Sequence, residues 1–164
     1  MIATPRAGRL TVSDRLSLRL LLVWAGFSIG VAFLATPVKF LAPSLSLPVA
    51  LDVGRHTFGA YNRVELALLI GLIALAAGSA QRRRRFLALS VPGVIVVVQA
   101  LWLIPALDAR VAVLLAGRQP PTSHLHAIYI GVEALKVLWL LYAGLGDLLP
   151  RPPTPHIVPA KWKD

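Results

Sequence analysis

The stretch "HLHAIYIGVEALKVLWLLY", His124 to Tyr142, decides how this chain is read. It is apolar over a length that can cross a bilayer as a helix, which takes about 20 residues. Yet it holds an acid, Glu133, and a base, Lys136. Lipid cannot satisfy such groups, so they must face the interior of a bundle or a wet cavity. On a helix, His126, Tyr129, Glu133 and Lys136 fall at intervals of three, four and three and line one stripe. Glu133 comes eight residues after Leu125, about 12 Å into the span.

The rest of the chain has the same character. Of 164 residues, 57% are hydrophobic and 15% charged, and the mean hydropathy is +0.72. A soluble domain of this size needs more polar surface than that. Four segments meet the spanning test, at about 20–38, 57–80, 86–107 and 125–146. The expected fold is an all-α integral membrane protein, a four-transmembrane-helix bundle over 20–148. A basic flank (1–19) precedes it and a Pro-rich tail (149–164) follows. The first apolar run lacks a small-residue cleavage site and is long enough to span, so it reads as a span, not a signal peptide. A short surface helix is expected to begin near Ser13. Two loops, Lys39–His56 and Asp108–Ser123, carry the breakers "PSLSLP" and "AGRQPPTSH", and Thr122 or Ser123 can cap the fourth helix.

The net charge is +10, from 17 Lys+Arg against 7 Asp+Glu. Arg6, Arg9, Arg15, Arg19, Arg82, Arg83, Arg84, Arg85, Arg151, Lys161 and Lys163 would lie on one side of the membrane. Lys39, Arg55, Arg63, Arg110 and Arg118 would lie on the other. The positive-inside rule then puts both termini in the cytoplasm. The expected location is the bacterial inner (cytoplasmic) membrane. Arg82–Arg85 read as a topology determinant with affinity for anionic lipid. Nucleic acid is not expected as a partner, because no folded domain is left to dock a groove.

The opening stripe has candidate partners on other helices. Glu65 comes eight residues after Thr57 and Gln99 eight residues before Leu107. Both would share the depth of Glu133. Two readings stay open. In one, Glu65, Gln99, His126, Tyr129, Glu133 and Lys136 line a polar pocket for a proton, a metal cation or a small polar ligand. Alternatively, Glu133 and Lys136 neutralise one another as a staple, with Gln99 and Tyr129 completing the hydrogen bonds.

Other motifs carry less. In "HLH", His124 and His126 are weak metal candidates, since side chains two apart on a helix diverge. The four His lie at span ends or in tails, away from a haem position. No cofactor is evident. The absence of Cys excludes disulfides and thiol chemistry. No Ser–His–Asp set, phosphate loop or paired metal-ligand acids can be read, so no catalytic residue is assigned. Gly26 and Gly30 form a small-xxx-small pair, read as packing within the chain, with dimerisation as the alternative. Pro92 should kink the third helix. Trp24 reads as packing, and Trp102 and Trp139 as interface anchors.

The segments "AGFSIGVAFLATPVKF", "RHTFGAYNRVELAL", "QALWLIPALDAR" and "HLHAIYIGVEALK" stand in this order between Trp24 and Tyr142. That order resembles a small bacterial four-span membrane family of unknown function. It is more distantly similar to the eukaryotic four-span protein associated with platinum-drug tolerance. The resemblance implies a four-helix membrane bundle and supplies no reaction and no catalytic residue. Lys136 departs from it, as a charge deeper than such a bundle requires.

Three functions are consistent with this reading. The first is a non-catalytic accessory or structural subunit that packs against partner membrane proteins and lipids. The second is a carrier or sensor for a proton, metal ion or small polar solute, built on the Glu/Gln/Lys cluster. The third is a membrane enzyme acting on a lipid or quinone, with Glu133 or His126 as acid/base.

Overall fold

The computed structural model describes residues 11–79 and 81–146. Arg6, Arg9 and the tail with Arg151, Lys161, Trp162 and Lys163 lie outside these residues. Among the described residues there is no strand. Four helices are long and apolar enough to cross a membrane: Val12–Leu41, Leu47–Ala77, Arg82–Leu115 and Leu125–Leu145. They are called the first to fourth helices below.

The first three helices run past the expected spans, and each extension has a local cause. Thr11 accepts a hydrogen bond from the Asp14 amide (3.2 Å), and Asp14 accepts one from the Thr11 amide (3.0 Å). This capping box starts the first helix at Val12. Among the described residues there is accordingly no separate surface helix; the segment near Ser13 is the first turn of the first helix itself. The second helix begins at Leu47 because Pro48 sits in its first turn, where a missing N–H is harmless. The third helix continues to Leu115 and ends at Gly117, whose φ of 73° few other residues adopt readily. The Gly117 and Arg118 amides there cap the Leu114 and Val113 carbonyls. The two expected loops therefore shrink to 42–46 and 116–124. Ser123 supports the start of the fourth helix, accepting from the Leu125 amide at 3.1 Å.

Three prolines lie inside helices, and each is accommodated. A proline ring collides with the carbonyl four residues before it and leaves that carbonyl without its amide partner. For Pro37 and Pro105 those carbonyls belong to Phe33 and Leu101. Both residues lie in wide π-helical segments, Ile29–Ala35 and Gln99–Leu103. The wider turn absorbs the clash. For Pro92 the orphaned carbonyl is that of Ala88, and Trp139 Nε1 donates to it at 2.9 Å. Trp139 is thus a link between the third and fourth helices that replaces the missing backbone bond, in place of the interface anchor expected. Trp102 is exposed, at 53%.

Neighbouring helices pack in ring order, each against the next and the fourth against the first. The first and fourth helices pack closely over residues 12–28 and diverge beyond them. Gly144 permits the close approach: a Cβ there would lie 2.7 Å from Leu22 Cδ2. Gly26 and Gly30 do not act this way. No atom comes within 4 Å of a Cβ built on either, and Gly26 is exposed. The packing expected of them within the chain is therefore absent.

Two apolar layers result. One, toward the end of the bundle that carries Arg82–Arg85 (the basic end), holds Leu21, Trp24, Ala25, Leu69, Leu72, Leu89 and Leu140. The other, toward the far end, holds Leu103, Ile104 and Tyr129 with Phe58 against them. Gly144→Val should lower stability by about 1–3 kcal/mol through overpacking. Gly26→Val should change it by less than about 0.5 kcal/mol. Unfolding of the two variants in detergent measures the difference.

Candidate functional site

Between the two apolar layers lies a polar one. Glu65, Glu133 and Lys136 are each 0% exposed and Gln99 1%. They come from the second, third and fourth helices, and the side chains meet. Lys136 Nζ lies 2.5 Å from Glu65 Oε1 and 2.9 Å from Glu133 Oε2. It also donates to Gln99 Oε1 at 3.1 Å. An ammonium has three hydrogens, and all three are used. Gln99 closes a ring by donating to Glu133 Oε2 at 2.9 Å. The depth match expected for Glu65, Gln99 and Glu133 is thus realised as direct contact.

Other donors complete the layer. Trp24 Nε1 donates to Glu65 Oε1 at 2.8 Å, which ties in the first helix. Tyr61 donates to Glu133 Oε1 at 2.5 Å, and Ser28 Oγ lies 2.7 Å from the same hydroxyl. One hydroxyl hydrogen cannot serve both, so Ser28 supplies its own. The Tyr61 ring also lies beneath Lys136, with Nζ 5.2 Å from its centroid. Asn62 Nδ2 reaches the Val96 carbonyl at 3.4 Å, near the start of the second π segment.

Tyr61 was not picked out from the sequence, and Trp24 and Ser28 read there only as packing residues. Tyr61 stands one turn before Glu65, and Trp24 and Ser28 one turn apart, so each shares a face with a polar neighbour. That spacing was the available signal. Tyr129, expected to bond the Glu133–Lys136 pair, does not. It is 3% exposed and its hydroxyl has no partner among the described residues. Tyr61 fills the place expected for it.

The layer holds two carboxyl groups and one ammonium. Glu133 receives three donors, whereas Glu65 Oε2 receives none among the described residues. A second ionised carboxylate here would be a buried charge without a counterion, which is prohibitively costly.

Two cavities adjoin the layer at the far end. One, of about 270 Å³, lies between the diverging first and fourth helices and reaches Glu133. The other, of about 240 Å³, is lined by Thr36, Lys39, Arg55, Asp108, Arg110 and mostly apolar residues. Phe58, His126 and Tyr129 line both. Phe58 and Tyr129 meet edge to face there, with centroids 4.9 Å apart. His126 and His124 are exposed. His126 therefore stands at the rim, outside the buried stripe it was expected to share. Among the described residues, no three His, Cys, Asp or Glu side chains gather as metal ligands.

A separate cluster stands at the basic end. Asp14 is 2% exposed, accepts from Ser79 Oγ at 2.7 Å and lies 3.5 Å from Arg85 Nη2. Arg82, Arg83 and Arg84 are exposed, but Arg85 is 3% exposed. Arg82–Arg85 were read as a topology determinant with affinity for anionic lipid; of the four, Arg85 points inward to the first helix and is not available to lipid.

Removing Lys136 should leave two carboxyls without a cation. Lys136→Met is expected to lose about 3–5 kcal/mol of stability. Adding Glu65→Gln and Glu133→Gln should recover most of that loss, as read by unfolding in detergent. Compared with protein-family models, curated proteins and solved structures, the chain matches none.

Proposed function

We propose that this chain is an integral membrane carrier or sensor whose buried Glu65–Glu133–Lys136 cluster takes up and releases one proton. The observation that carries the reading is the charge count. Two carboxyls share one ammonium in a buried layer, so electroneutrality requires one bound proton or cation. Glu65 is the natural seat of that proton, since Glu133 has three donors and Glu65 Oε2 has none among the described residues. Glu133 also lines the far-end cavity. A ligand there would act on the carboxyl that shares Lys136 with Glu65. Occupancy and protonation would then be linked through one ammonium.

The layer is placed where such a device works. Four helices apolar enough to cross a membrane surround it, and intramembrane ionisable groups mark ion and proton paths. We place the basic end, with exposed Arg82, Arg83 and Arg84, on the cytoplasmic side of a bacterial inner membrane, near anionic lipid. The cavities would then face outward.

A second reading, an accessory subunit of a larger membrane assembly, rests on a different observation. Gly26 and Gly30 present a small-xxx-small pair that nothing among the described residues covers. A helix of a partner protein could pack there. Co-purification in mild detergent that is lost on Gly26→Leu/Gly30→Leu would favour it.

Infrared difference spectroscopy during a pH titration tests the proton reading. The native protein is expected to show a carboxylic-acid carbonyl band from a buried group. Glu65→Gln balances one carboxylate against one ammonium and should abolish that band. A native protein without the band, or a band retained after both Glu65→Gln and Glu133→Gln, would overturn the proposal.

A further inference from the structure

Of the two far-end cavities, the one lined by Lys39 has a chemistry of its own, distinct from the buried layer. The ammonium of Lys39 turns inward over aromatic rings, 5.0 Å from the Phe40 centroid and 5.9 Å from that of Phe58. Gly54 makes room for it, since a Cβ there would collide with Lys39 Nζ. No carboxylate or hydrogen-bond acceptor pairs it among the described residues. The other cations of the cavity wall are engaged. Arg55 is bound to Asp52 at 2.7 Å, and Arg110 donates to the Pro121 carbonyl at 2.6 Å. With Asp52 and Asp108 against Lys39, Arg55 and Arg110, the region holds one cation in excess. A second polar group awaits a partner in the same cavity: Tyr129, 3% exposed, with its hydroxyl unbonded.

Apart from Thr36 and His126 the remaining walls are apolar, and the space continues sideways. Phe58 and Tyr129 also line the neighbouring cavity, which lies in the gap between the first and fourth helices. Phe33 and Ile130, on the rim of that gap, are exposed at 40% and 46%. In a bilayer such a gap faces lipid.

We propose that the cavity binds an amphiphilic monocarboxylate. Its carboxylate would sit on Lys39 and the Tyr129 hydroxyl, and its chain would leave between the first and fourth helices. The single excess cation selects a monoanion over a phosphate dianion. The sideways opening selects a ligand drawn from the bilayer over a small acid from water. The site needs Lys39 and the cavity, and it stands whether or not the buried layer takes up a proton.

Equilibrium dialysis of octanoate against the protein in nanodiscs, with empty nanodiscs subtracted, tests it. The native protein is expected to bind octanoate saturably and to discriminate against octanol. Lys39→Gln should weaken binding at least about tenfold, the loss of one charge-assisted hydrogen bond. Lys39→Arg should restore it. Tyr129→Phe, which keeps the ring, should weaken it several-fold and serves as a second probe if Lys39→Gln does not fold. Native protein that takes up no more octanoate than empty nanodiscs would overturn the proposal. So would Lys39→Gln binding equal to native, or displacement of octanoate by acetate as readily as by decanoate.

Discussion

One ammonium holds the middle of this bundle. Lys136 spends its three hydrogens on Glu65, Glu133 and Gln99, and so joins three helices at a single atom. Trp24 adds the first helix through Glu65. In an apolar surrounding, none of these groups can be left without its partner. The helices cannot slide or rotate past one another without breaking the layer. The hydrophobic residues above and below it supply packing, but packing between apolar surfaces alone specifies register weakly in lipid. The polar layer supplies the register.

The same pressure, the cost of leaving a buried polar group without a partner, shapes the backbone. Pro37, Pro92 and Pro105 each remove an amide from a helix that must stay closed. Two are absorbed by π-helical turns and one by the Trp139 indole. These repairs also shape the far end. The π segment Ile29–Ala35 covers the residues where the first helix parts from the fourth, and the space between them becomes the cavity that reaches Glu133. Tight packing at Gly144 and parting beyond Ser28 give the bundle a closed basic end and an open far one.

Much of this was legible in the residues. Helical spacing put Tyr129, Glu133 and Lys136 on one stripe, and counting from the span ends put Glu65 and Gln99 at the same depth. Both features are local arithmetic, since helix rise and period are nearly constant. Span ends were less legible, because caps decide them. The Thr11–Asp14 box and the Gly117 turn each lengthen a helix beyond its apolar run. The roles of Arg85 and of Gly26 and Gly30 were misread for a shared reason. Residue type shows what a side chain can do, while the rotation of its helix decides what it faces.

The sequence by itself therefore determined four apolar helices, a charged stripe on the last of them and the depth of its partners. Those follow from composition and from the fixed geometry of the helix. Only the tertiary structure decided that one lysine serves two acids, that Tyr61 displaces Tyr129 as a donor to Glu133, and that Lys39 turns inward. Each depends on the relative rotation and splay of helices far apart in the chain. Those quantities are set jointly by how buried polar groups of different helices pair, and no single segment encodes them.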